Sequence, residues 1–276
     1  MAVLKAAILG LVQGIAEFLP ISSSGHLVLF QNLLGMNSGE ENILFDILLH
    51  FGTLISVAIF YWQDIWEMIK AFFGLIADLF KGKFNINKTS ATRFIGLLFV
   101  ATLPLIVAVV FNDKIEEVFS STLFVGCALL VTGAILFIVD RLPKGTTDES
   151  NTKYKNAFIV GLFQLFAIFP GISRSGSTIF GGTLVGMSKK FAVKFSLLMS
   201  MIAILGAVAT SIPDITGGAL ASVSLGSCIV GMVVAAVSGV FAIKFLVNML
   251  NKGKFRYFSY YCWAVGIIAI IASIIK

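Results

Sequence analysis

Apolar positions along this chain of 276 residues fall in long unbroken runs rather than in the alternation that marks the strands of a barrel. Runs long enough to cross a bilayer, which takes roughly 20 residues, lie near residues 43 to 62, 91 to 111, 121 to 140, 190 to 212, 222 to 247 and 256 to 275. They predict six transmembrane helices. Two further apolar segments, about 2 to 34 and 156 to 187, are each interrupted by a cluster of Pro, Gly and Ser: FLPISSSGH in the first and FPGISRSGST in the second. Each predicts a re-entrant hairpin made of a helix, a polar turn and a second short helix. The stretch from about 64 to 80 carries four charges among aromatic and aliphatic residues. It fits a helix that lies in the membrane interface or extends a span.

The two interrupted segments are related. A shift of 151 residues lays LGLVQGIAEFLPISSSGH over VGLFQLFAIFPGISRSGS without a gap, with nine of eighteen positions identical. Shared Leu and Ala could arise between any two apolar helices, but the matched Gln and Ser-x-Ser-Gly point to a duplication. Each half then holds one hairpin followed by three full spans. A hairpin returns the chain to its starting side and three crossings move it to the other, so the second half starts inverted. The expected fold is an all-α polytopic membrane protein, one membrane domain over 1–276, with six transmembrane helices and two re-entrant hairpins in an inverted repeat (1–150 and 151–276). In this architecture the two hairpins enter from opposite faces and meet near the midplane.

Composition agrees: 58% of residues are hydrophobic and 12% charged, about half the charged share of a soluble domain. A water-soluble protein is excluded. The net charge of +6 suggests lysine-rich cytoplasmic loops, not a nucleic-acid partner. Setting Arg174 aside, Lys and Arg divide sixteen to three between the two sides, with only Lys5, Lys114 and Lys276 on the poorer one. The richer side is expected to be cytoplasmic and both termini to face outward. Cys127, Cys228 and Cys262 stand isolated in apolar segments and suggest neither a disulfide framework nor a zinc site. The N-terminal apolar stretch is broken by Gln13 and Glu17, unlike a cleaved signal peptide, and is expected to be retained.

Against this background, the few ionisable groups in the hairpins stand out. Gln13 and Glu17 lie four apart on one helical face, and a carboxylate at membrane depth needs a partner, water or a cation. The turn after it supplies Ser22, Ser23, Ser24 and His26; some of these serines are expected to be helix N-caps, and Ser22 and Ser24 are expected to help bind phosphate. In the second hairpin Arg174 stands at the repeat position of Ser23, among Ser173, Ser175, Ser177 and Thr178. A guanidinium, hydroxyls and a helix N-terminus make an oxyanion or phosphate site, and Arg174 can equally neutralise Glu17. Asp46 and His50, at i and i+4, could pair on a metal, but with no third ligand nearby they read as support for the site or as a contact with the first hairpin.

These residues make the chain resemble the undecaprenyl-diphosphate phosphatase family, also called the bacitracin resistance protein family. The signatures are QGIAEFLPISSSGH at residues 13 to 26 and PGISRSGST at 170 to 178, and the resemblance spans essentially the whole chain. It implies a bacterial cytoplasmic-membrane hydrolase that removes the terminal phosphate of undecaprenyl diphosphate, a lipid substrate met within membrane lipids. It thereby recycles the carrier for peptidoglycan and cell-wall synthesis and confers resistance to bacitracin. It implies Glu17, His26 and Arg174 as essential residues, Ser23 as nucleophile, and Ser173, Ser175 and Thr178 as phosphate ligands; the expected mechanism has His26 as the base of Ser23, with direct attack by a His26-activated water as its rival. It also implies a divalent cation, Mg²⁺ or Ca²⁺, for which Glu17 is the stronger ligand because residue 13 is Gln. Oligomeric state stays open, with a homodimer among the assemblies the sequence permits. The rival reading of the same architecture is a transporter or flippase for polyprenyl phosphates.

Overall fold

Helix boundaries fall where the apolar runs meet Pro, Gly or a cluster of hydroxyls. The computed structural model describes residues 2–35, 40–110, 121–210 and 224–275. Among the described residues it contains twelve α-helices and no strand beyond one isolated bridge, Thr147 with Met187. The helices are α1 (Val3–Phe18), α2 (Ser23–Leu33), α3 (Glu40–Phe60), α4 (Trp62–Phe80), α5 (Ser90–Thr102) and α6 (Leu105–Val110) in the first half. They continue with α7 (Thr122–Val139), α8 (Tyr154–Phe166), α9 (Arg174–Leu184), α10 (Lys189–Thr210), α11 (Leu225–Asn251) and α12 (Arg256–Ile275). This is an all-α polytopic membrane protein.

Among the described residues, five stretches are long and apolar enough to cross a membrane: Ser90–Val107, Thr122–Val139, Lys189–Ala209, Leu225–Leu250 and Arg256–Ile275. A sixth arises only if Leu44–Phe60 and Trp62–Phe80 count together, and those two are bent by 90° at Tyr61. The bend falls where charge enters the sequence at Asp64 and Glu67. Beyond it α4 turns Trp62, Trp66, Phe72, Phe73 and Phe80 outward, as an interfacial helix does. The span expected near 91 to 111 is itself broken between α5 and α6, because Pro104 has no N–H to offer the preceding turn. The ends expected at 111, at 211 to 212 and at 222 to 223 lie outside the described residues, as do Lys114 and Lys276.

Both interrupted segments fold as helix, turn, helix. In the first, Ser22 caps α2, its side chain accepting from Gly25 N at 3.3 Å. In the second, Ser173 caps α9 in the same way, from Gly176 N at 3.1 Å. Gly171 turns the second hairpin at φ +93°, which glycine adopts without strain. The first hairpin makes its turn at Ser22, φ 70°, the one non-glycine residue with positive φ among the described residues.

Close helix approach is set by small residues, as expected where lipid removes any hydrophobic drive between helices. α1 packs along α11: a Cβ on Gly10 would fall on the Gly231 carbonyl, and one on Gly14 on Ser238 and Ala235. α8 packs along α5 in a similar way, with Gly161 against Ala101 and Pro104. α3 also lies on α11, and α7 pairs with α12. The largest buried cluster joins Phe18, Leu97, Leu136, Ile179, Phe195 and Phe255 from both halves. It surrounds the place where the two turns meet.

Candidate active site

Glu17 sits in the last turn of α1 with its side chain 2% exposed. A carboxylate buried this deeply needs its lone pairs occupied, and they are. Gln13, one turn earlier on the same face, donates Nε2 to Oε2 at 3.0 Å. Ser23, the first residue of α2, donates its hydroxyl to the same oxygen at 2.6 Å. Arg174, the first residue of α9, reaches across from the second hairpin and donates Nη2 to Oε1. Its Nη1 donates to the Ser200 carbonyl of α10 at 3.2 Å, so the guanidinium fork is held at both arms. The two hairpins are joined again by Ser175 Oγ, which donates to the Leu19 carbonyl at 3.4 Å, and by Gly25, whose Cα faces Gly171.

The remaining predicted residues divide by what they touch. His50 lies at the edge, its side chain 35% exposed and its Nε2 3.9 Å from Glu17 Oε2, while Nδ1 donates to the Asp46 carbonyl at 2.8 Å. The Asp46 carboxylate does not join this group; it accepts from Gln31 of α2 at 3.0 and 3.2 Å, a contact with the first hairpin. Thr178 donates to the Arg174 carbonyl at 2.9 Å and lies 2.6 Å from Ser196 Oγ. Ser24 Oγ lies 3.4 Å from Ser22 Oγ, and Ser173 Oγ 3.3 Å from Ser175 Oγ. Ser177 Oγ is buried without a hydrogen-bond partner.

His26 is brought to the turn but not to Ser23. It is 4% exposed; Nδ1 donates to the Ser22 carbonyl at 2.8 Å, and Nε2 lies 2.8 Å from the Tyr261 hydroxyl of α12. In this arrangement the group next to the Ser23 proton is Glu17.

A buried carboxylate, a guanidinium on one of its oxygens, a serine hydroxyl on the other and two helix N-termini are groups that together could bind an anion and present a nucleophile to it. Comparison with known proteins bears on what they serve. Residues 6–268 match the family described as bacitracin resistance protein BacA. The chain belongs to that family. An undecaprenyl-diphosphatase of Alkaliphilus metalliredigens is 46% identical over 278 residues, covering 100% of both chains. One from Methanosphaera stadtmanae is 43% identical over 279 residues, covering 99% of each. One from Bacteroides fragilis is 41% identical over 275 residues, 98% of this chain and 97% of its own.

In this BacA-family chain several contributors have no local signature. Tyr261, Ser200, Ser196 and Gln31 are ordinary residues of apolar or amphipathic helices. Tyr261 sits beside Tyr257 and Tyr260, so its pattern reads as an aromatic belt at a span end.

Proposed function

We propose that this chain hydrolyses undecaprenyl diphosphate to undecaprenyl phosphate and inorganic phosphate at the Glu17–Ser23–Arg174 pocket. By that activity it recycles the carrier for the cell wall and confers bacitracin resistance from a bacterial cytoplasmic membrane. The observation that carries the reading is the Ser23 hydroxyl held 2.6 Å from a buried carboxylate in a chain whose full-length relatives are named for this activity. Arg174 and the N-termini of α2 and α9 bind the diphosphate oxygens, the guanidinium exchanging part of its pairing with Glu17 for the substrate. Ser23 Oγ attacks the terminal phosphorus, the anhydride P–O bond to the lipid phosphate breaks, and the Ser23 proton passes to Glu17. Water then attacks the phosphoserine; Ser23 Oγ leaves with a proton and inorganic phosphate departs. A scheme with His26 as the base of the first step requires its Nε2 to leave Tyr261 and swing toward Ser23. The packing of α1 on α11 and of α8 on α5, each hairpin on the other half's second span, supports the inverted repeat.

A divalent cation, Mg²⁺ or Ca²⁺, fits one corner of the pocket. Gln13 Oε1 is buried without a hydrogen-bond partner beside the Glu17 carboxylate, and hard cations take one or two carboxylates together with substrate phosphates. Among the described residues no group of three or more His, Cys, Asp and Glu could cage an ion, so substrate oxygens would complete its shell. Bound there, it would offset the charge of the diphosphate.

Phosphate release by the purified protein in detergent tests the reading. Ser23→Ala and Arg174→Ala are each expected to lower the rate at least ~100-fold, and acid quench of the wild type to trap phosphoserine at residue 23. Chelation is expected to abolish release and added Mg²⁺ or Ca²⁺ to restore it. Intact protein that releases no phosphate with cation present would return the transporter reading, which the relatives' names disfavour; full activity in Ser23→Ala would remove the covalent step.

A further inference from the structure

The last span grips the turn of the first hairpin at two consecutive residues. Tyr261 OH lies 2.8 Å from His26 Nε2, and Cys262 Sγ donates to the Pro20 carbonyl at 3.8 Å. The second hairpin is gripped likewise from α7. There Thr132 Oγ1 donates to the Gly171 carbonyl at 2.8 Å and accepts from Ser173 N at 2.9 Å. Under the shift of 151 residues Gly171 falls on Pro20, so the same carbonyl of each turn is held by a span of the other half. Because α7 and α12 pack on each other, both clasps stand on one helix pair.

The clasp on the first hairpin has a chemical consequence that the second lacks. A carbonyl oxygen only accepts, so for as long as the neutral ring is held against Ser22 O the proton of His26 stands on Nδ1. Nε2 is then an acceptor, and Tyr261 is its donor. His26 ties the Ser22 carbonyl twice, through Nδ1 and through its own backbone N–H at 3.2 Å. Ser22 is the residue at φ 70° and ψ 99°, a conformation that persists only where its surroundings over-determine it. The next residue is Ser23.

The geometry points to Tyr261 as a positioning residue for the reaction proposed above. Acting through His26, its hydroxyl holds the Ser22 turn in the conformation that sets Ser23 Oγ against Glu17. The kinetic side of this inference rests on the proposed function; the structural side does not. Tyr261 is 43% exposed, so Phe in its place keeps the ring and removes only the donor.

The test is Tyr261→Phe in the full-length protein in detergent, alone and combined with His26→Ala. The expected result is a fall of about tenfold in kcat, the scale of a lost partner that orients a working side chain, with KM within about twofold. In the His26→Ala background Tyr261→Phe is expected to cause no further loss. Unchanged kcat, or a loss that multiplies with that of His26→Ala, overturns the proposal. A second readout is independent of activity: the chain has two histidines, so ring ¹⁵N spectra resolve His26. Its Nδ1–H tautomer is expected in the wild type and a tautomer mixture in Tyr261→Phe. If the wild type releases no phosphate, the functional reading fails and the spectra alone decide: a His26 tautomer indifferent to the substitution overturns the inference.

Discussion

Glu17 and Arg174 form a pair whose two members are unequally buried, the carboxylate at 2% side-chain exposure and the guanidinium at 23%. Removing one partner of a buried pair costs ~3–5 kcal/mol, chiefly by stranding the other charge. Arg174→Gln strands the deeper charge, whereas Glu17→Gln strands one that still reaches water. Arg174→Gln is therefore expected to lower the unfolding temperature in detergent more than Glu17→Gln. The double variant is expected to recover most of the loss, since a neutral pair leaves no stranded charge. Thermal unfolding of the three variants checks this, and additive losses would mean that the contact is not an energetic pair. Both residues were legible in the sequence because an ionisable group inside an apolar run has no ordinary explanation. Tyr261 was not, because a tyrosine near a span end has one, and its partner His26 is 235 residues away.

At the scale of the element, the site depends on how closely α1 can lie on α11. Gln13 and Glu17 project from α1, and Gly14 between them faces α11, where a Cβ would meet Ser238 and the Ala235 carbonyl. Backbone cannot give way as a flexible side chain can, so Gly14→Leu must displace α1 and carry Glu17 away from Arg174. Overpacking of this kind costs ~1–3 kcal/mol or more. Gly14→Leu is expected to lower phosphate release at least tenfold and to lower thermal stability. Gly74→Leu on α4, where nothing lies within 4 Å of the added Cβ, serves as the control and is expected to change neither. Equal behaviour of the two variants would show that close approach of α1 to α11 does not position the site. The spans themselves were legible because a run of apolar residues needs no tertiary context. The interruptions were less so: the bend at Tyr61 depends on where the helix meets charge at Asp64, and the expected span ran through Pro104, which the structure makes a break.

At the scale of the whole molecule, four of the sixteen basic residues counted to one side, Arg93, Lys189, Lys194 and Arg256, tie together segments distant in sequence. Lys194 pairs with Asp64 at 2.5 Å and Glu149 at 3.1 Å. Lys189 pairs with Asp140 at 3.0 Å, and the backbone of Arg256 donates to the same carboxylate at 2.9 Å. Arg93 Nη2 donates to the Thr152 carbonyl at 2.7 Å. These contacts are half-buried, and what they show is which segments share one end of the molecule. Lys5, from the poorer set, instead donates to the Leu34 carbonyl at 2.6 Å. We therefore expect the lysine-rich end to face the cytoplasm, which places the N-terminus outside and makes the hairpins enter from opposite faces. Single-cysteine accessibility tests this, starting from a variant with Cys127, Cys228 and Cys262 replaced by alanine. In intact cells, Ala2→Cys is expected to react with a membrane-impermeant maleimide, and Lys83→Cys, in the loop after α4, only after permeabilisation. The reverse pattern would invert the molecule, put the Lys5 end inside and set the charge asymmetry against the positive-inside rule; labelling of both in intact cells would mean that residues 2 and 83 share the outer face, and so would break the count of crossings on which the inverted repeat depends.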